Sequence, residues 1–190
     1  MAKAKLEILG LTVPIGWFHT HHDDGFVDSI QKHIEALAEK YDRWGWPFVG
    51  KHVIGMYELY YTFFGAHHHI FYLDTSFEIV NISTRAHEET EFLRERGRLS
   101  YLADKILAEQ NVRINFKEIK NPEVIAEIGS IYALLSRGIS FKEHEKAQLE
   151  LSSRLKLNDR EKVVARNYTN YFKIAREIYE KGRLSQRKAA

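Results

Sequence analysis

The sequence contains no cysteine, which excludes disulfides, thiolate nucleophiles and zinc–thiolate sites together. It has only three prolines, and no Pro-, Gly- or Ser-rich linker, internal repeat or low-complexity tract interrupts it. A strong charge of one sign is also missing. The net charge of +2 and pI near 8.6 do not describe a dedicated nucleic-acid binder. The start, MAKAKLEILG, lacks the apolar core of a signal peptide. The run 53–73 reaches the length of a membrane span, but Glu58 and three histidines interrupt it and its period suits strands. A cytoplasmic chain with no membrane partner is expected, and abundant Glu and Lys without Cys fit a thermophilic source.

What is present is apolar and aromatic. Hydrophobic residues make up 44% and aromatics 13% of 190 residues, enough for a globular chain with a buried core. The charge is unevenly spread, with ten Lys/Arg against four Asp/Glu from Lys156 onward. That asymmetry suits either an anionic partner or a solvated helix face.

The stretch 51–78, KHVIGMYELYYTFFGAHHHIFYLDTSFE, is the densest in aromatics and histidines. Val53, Tyr57, Leu59, Tyr61 and Phe63 favour a pleated surface, and Gly65-Ala66 suggests the turn of a hairpin. In the second strand His67, His69, Phe71 and Leu73 alternate with His68, Ile70, Tyr72 and Asp74. Residues 5–18 read as an earlier strand with Pro14 at an edge or bulge. A polar loop, His19-Thr-His-His-Asp-Asp-Gly25, follows it. A helix over 26–43 is predicted from the stripe Phe26, Ile30, Ile34, Leu37 and Tyr41, stopped by Trp44-Gly-Trp-Pro47. A second helix over 84–110 buries Phe92, Leu99, Leu102 and Ile106, and 112–119 alternates as a fourth strand.

The order to that point is β-α-β-β-α-β, so the expected class is α+β with a ferredoxin-like core over 1–120. A helical extension of three helices is expected over 121–183, with a mobile tail over 184–190. Asn121-Pro122 opens its first helix, and Gly138 closes it. Ser140 with Glu143, and Asn158 with Glu161, give capping patterns for the other two, the last ending at Gly182.

Val49-Gly50, Glu58, Gly65 and His69-Ile70-Phe71-Tyr72-Leu73-Asp74-Thr75 together resemble the pattern of NIPSNAP-type members of the dimeric α+β barrel superfamily. The resemblance covers about thirty residues in pattern and roughly 5–119 in element order. It implies two ferredoxin-like protomers pairing their sheets into a barrel, hence a homodimer or higher homo-oligomer. It also implies a cavity that relatives use for small-molecule oxidation, isomerisation or haem.

The histidines carry the chemical expectation. His19 and His21 leave a strand in the same direction, a spacing that lets two imidazoles grip one metal, with Asp23 and Asp24 as neighbours. His67 and His69 repeat the spacing, with Glu58 on the preceding strand. Two His and one carboxylate would suit iron or manganese, and zinc fits the same donors. The expected metal ligands are His19, His21, His67 and His69, with Glu58 and His69 as acid–base groups. Trp17, Tyr57, Tyr61 and Phe71 would line the cavity. The competing assignment is plain: loop and rim histidines that satisfy hydrogen bonds.

The expected function is small-ligand or metal binding, extending to metal-dependent oxidoreduction. Two alternatives belong to other classes. The strand His67-His68-His69-Ile70-Phe71 and a helix with Tyr101 and Lys105 are similar to the HUH nucleases, which use two His for a cation and a Tyr to attack single-stranded DNA. A non-catalytic assembly protein would use the aromatic hairpin and helical arm as interfaces. Arg137 and His144, with six residues between them, match the spacing of the HEPN ribonucleases, a pattern common by chance.

Overall fold

Asn121 and Pro122 begin the helix around which the described structure is built. The Asn121 side chain accepts the Glu123 N–H at 3.0 Å, and proline sits where the missing N–H costs nothing. The computed structural model describes the backbone of residues 5–8, 11–14, 18–21, 55–62 and 65–72, and residues 77–187 apart from 155, 156 and 158, with side chains described only within 77–183.

Five helices make up the second part: α1 (Glu78–Glu95), α2 (Leu99–Gln110), α3 (Pro122–Ser136), α4 (Phe141–Arg154) and α5 (Asp159–Arg187). Every residue of α3 from Val124 to Leu134 is buried. A helix buried all round has to be covered on several sides. Its largest contact is with α1, followed by α5 and α2. Phe92, Leu102, Ile106, Ile128 and Ile131 are fully buried in the shared core, which α5 closes with Ala175 and Tyr179.

Helix ends follow local chemistry. Gly97, at φ +63°, breaks the expected 84–110 helix into α1 and α2, and α1 begins earlier than expected, at Glu78. Gly138 at φ +72° ends α3. Ser140 and Glu143 form a reciprocal cap on α4: the Ser140 N–H donates to Glu143 Oε2 at 2.8 Å, and the Glu143 N–H donates to Ser140 Oγ at 3.3 Å. The last helix does not stop at Gly182 but runs on to Arg187.

The backbone of the first part forms five short strands: β1 (Lys5–Ile8), β2 (Leu11–Pro14), β3 (Phe18–His21), β4 (Gly55–Thr62) and β5 (Gly65–Tyr72). β1 and β2 make a separate antiparallel pair. The other sheet has the order β3-β5-β4, with β3 parallel and β4 antiparallel to β5. α1 packs against β4 and β5. The helix expected over 26–43 lies outside the described residues.

A ferredoxin-like β-α-β-β-α-β core is therefore not what the chain forms, and the dimeric α+β barrel with its NIPSNAP-like pattern loses its basis. All elements with described side chains are helical. The expected fourth strand, 112–119, contains a 3-10 turn, Phe116–Glu118, and joins no sheet among the described residues. Its alternation is real but has another cause. Val112, Ile114 and Phe116 are buried against helices, and a segment lying on a helical surface alternates as a half-covered strand does. Nor are the last three helices an appendage to a sheet, since α3 is the centre of the core.

No described helix is long and apolar enough to cross a membrane. α3 and α4 together reach the length and composition, but they meet at a 114° bend and α3 is buried inside the protein.

Candidate metal centre

α1 and α3 approach closely because their facing residues are small. A methyl group built on Gly129 would lie 1.7 Å from Thr90 Oγ1 and 3.1 Å from the Ala86 carbonyl oxygen. Thr90 Oγ1 donates to that same carbonyl at 2.7 Å, and Ser130 Oγ donates to the Ser83 carbonyl at 2.9 Å. This contact brings polar side chains from both helices into one buried group.

From α1 come His87, Glu88 and Glu91, and from α3 come Glu123 and Glu127. Spacings of four residues put His87 with Glu91, and Glu123 with Glu127, on single helix faces. One ligand atom each from His87, Glu91 and Glu123 lie within 4.8 Å of one another. The imidazole is held from both sides: Nε2 is 3.4 Å from Glu123 Oε2, and Nδ1 is 3.3 Å from Glu127 Oε1. The Tyr168 ring of α5 closes one flank, with centroids 5.7 Å apart.

The electrostatics are unbalanced. Four carboxyl groups surround one imidazole. Glu88 is buried and makes no hydrogen bond or ion pair among the described residues. Glu123 Oε2 is buried without a hydrogen-bond partner. Burial, reinforced by Glu91, Glu123 and Glu127 against the opposing pull of His87, pushes the Glu88 carboxyl up to about 8. Burial likewise raises Glu91, with His87 and Arg94 opposing. For His87, burial alone would lower the basicity. Its contacts with Glu123 and Glu127, and the nearby charges, outweigh that and hold it well above the usual histidine range. Burial, then the four glutamates, raises the Tyr168 phenol. Buried carboxyl groups that outnumber the cations beside them are costly to ionise, and a bound metal ion is one way to relieve that cost.

A His and two carboxylates form a donor set that Mn²⁺, Fe²⁺ and Zn²⁺ accept. Were Nε2 to hold an ion, Nδ1 would donate to Glu127. That is the usual support of a metal-bound histidine, which fixes the tautomer and orients the ring.

A second buried histidine lies nearby. His144 Nε2 sits 3.0 Å from Ser83 Oγ, and its ring lies 4.5 Å from that of Phe172. Burial lowers its basicity, with Glu127 and Glu145 opposing. Arg137 does not join it, since its Nη1 donates to the Ala133 carbonyl at 3.1 Å. Tyr101 on α2 is 38% exposed and accepts from Arg98 Nη1 at 3.2 Å.

The residues singled out from the sequence lie mainly on the strands, where the backbone register places them. His19 is opposite His69, and Glu58 is opposite the same His69. His21 is opposite Phe71, His67 is opposite Tyr60, and Tyr57 is opposite Ile70. Tyr61 pairs with Ala66. Trp17, Asp23 and Asp24 lie outside the described residues.

The helical group went unmarked at the level of sequence, although two signals were present. Glu127 is a lone carboxylate amid VIAEIGSIYALL, an otherwise apolar or small run. In α1, His87 falls one helical turn from Ser83 and from Glu91, in line with the buried positions Val80 and Ser83. Polar residues in core register need partners, and a search for partners would lead to α3. Comparison of the chain with protein-family models, with curated proteins and with solved structures found no match.

Proposed function

We propose that this protein binds one divalent transition metal between α1 and α3, with His87, Glu91 and Glu123 as ligands and Glu127 orienting the imidazole. The observation that carries the reading is the convergence of the three donor atoms within 4.8 Å inside a buried surplus of carboxyl groups. Glu91 and Glu123 are only partly buried, so the ion's open side would face outward past them. A small ligand or oxidant would reach it from there. This narrows the sequence-level expectation of a metal-binding protein to another set of residues.

The test is titration of metal-stripped protein with Mn²⁺, Fe²⁺ and Zn²⁺ by calorimetry, with elemental analysis of native material. One tightly held ion is expected, lost in Glu91→Gln with the helical circular dichroism unchanged. Glu91→Gln is preferred to His87→Ala, because removing the imidazole leaves buried carboxylates uncompensated. Failure of the wild type to bind any ion at neutral pH, or unchanged binding in Glu91→Gln, rejects this centre.

A further inference from the structure

Three neighbouring strands bring a different set of donors to one rung of the sheet. β3 runs parallel to β5 with His19 opposite His69, and β4 runs antiparallel to β5 with Glu58 opposite the same His69. These residues belong to elements that contribute nothing to the helical group. We propose that the rung His19–His69–Glu58 is a second divalent-metal site, of the two-imidazole, one-carboxylate kind that takes iron or manganese and leaves coordination positions open.

The argument is one of register. Strands in a sheet lie ~4.8 Å apart, so the rung spans two such spacings with His69 at its centre. Residues directly opposite one another on paired strands belong to the same face, and positions two apart along a strand share it. His19, His21, His67, His69 and Glu58 therefore all fall on one face, although they come from three strands. The alternate positions carry Phe18, Tyr57, Leu59, Tyr61 and Ile70, which makes the other face mainly apolar. A slip of one residue in β5 would separate His69 from Glu58 and His19 and scatter the set over both faces. The register instead unites two His-x-His pairs from distant parts of the chain with the one carboxylate of β4. His68, one residue along β5, falls on the opposite face and serves as an internal control.

The experiment uses the full-length chain, stripped of metal and titrated with Co²⁺, whose visible absorption reports each ion bound. The wild type is expected to take two ions. His69→Ala and Glu58→Gln should each retain one, the ion that Glu91→Gln removes. His68→Ala should retain both. Circular dichroism of each variant establishes that it has folded, and Glu58→Gln, which is isosteric, covers the case in which His69→Ala does not.

The outcomes separate this proposal from the helical centre. A single ion lost in Glu91→Gln but kept in His69→Ala and Glu58→Gln overturns the rung and leaves the helical centre standing. A single ion lost in His69→Ala and Glu58→Gln but kept in Glu91→Gln supports the rung and removes the helical centre. Equal losses in His68→Ala and His69→Ala overturn the register argument, and no binding by the wild type overturns both sites.

Discussion

The two ring nitrogens of His87 face carboxylates on the same helix one turn apart, Glu123 at 3.4 Å and Glu127 at 3.3 Å. The two contacts have different consequences if Nε2 holds a metal. Glu123 then shares the ion, whereas Glu127 touches only the ring and acts through it. Removing the charge of Glu127 while keeping its shape should therefore weaken metal binding without removing a ligand. Glu127→Gln is expected to lose about 10–100-fold in affinity, the usual effect of losing the partner of a metal-bound histidine. Calorimetric titration of the variant checks it, and an unchanged affinity would deny Glu127 the orienting role.

The metal-free protein should become less stable as pH rises, because of Glu88. Burial raises its carboxyl to about 8, far above the ordinary carboxylate range, so between the two the folded state binds more protons than the unfolded one. Stability then falls with increasing pH. His87 acts in the same sense, since its folded value is raised and its contribution is lost as pH climbs through that value. His144 opposes them below about 6.5, because a histidine buried in its neutral form must gain a proton on unfolding. Glu88→Gln removes one of these rising-pH losses. Thermal unfolding of metal-free protein should show the variant matching the wild type near pH 5 and exceeding it near pH 8. Equal pH profiles for the two proteins would contradict the burial of an unpartnered carboxyl.

The close approach of α1 and α3 rests on Gly129. On helix propensity alone, Gly129→Ala should stabilise by about 1 kcal/mol. The methyl would instead meet Thr90 Oγ1 at 1.7 Å and Thr90 Cβ at 2.9 Å, and Thr90 is a stiff β-branched residue tied to Ala86. The helices must part, and overpacking of this kind costs typically 1–3 kcal/mol. Denaturant unfolding should show that loss. Adding Thr90→Ala should recover only part of it, since the Cβ contact remains. Gly129→Ala should also weaken metal binding, because Glu123 and Glu127 sit on the helix that moves.

The legibility of the sequence divides along the same physical lines. Caps and breaks written in a few adjacent residues, at Asn121-Pro122, at Ser140 with Glu143 and at Gly138, are formed as the local chemistry requires. Burial was also legible: Phe92, Leu102, Ile106, Ile128 and Ile131 occupy the core. What covers a buried residue was not. Val112, Ile114 and Phe116 alternate because helices cover one side of them, and the pattern alone cannot tell a helix surface from a neighbouring strand. The ferredoxin-like reading failed at that point. The helical His–Glu group was missed for a related reason: His87 and Glu127 are 40 positions apart, and the α1–α3 contact joins them.

Gly182 gives the sharpest test of local against tertiary control. Its position suggests a helix stop, yet α5 continues through it to Arg187. The glycine has a different task. A methyl there would lie 2.6 Å from the Arg113 carbonyl oxygen and 2.9 Å from Val112 Cγ1. Val112 is fully buried, so the segment that α5 crosses has little freedom to withdraw. If Gly182 merely interrupted a helix, Gly182→Ala would stabilise the protein by about 1 kcal/mol through helix propensity. The contact with a backbone oxygen reverses the sign, since a carbonyl cannot rotate aside as a side chain can. Destabilisation of about 1–3 kcal/mol is expected, the range for forcing extra volume into a packed contact. Chemical denaturation of the variant decides between the two, and a gain in stability would mean that α5 does not lie against Arg113 as described.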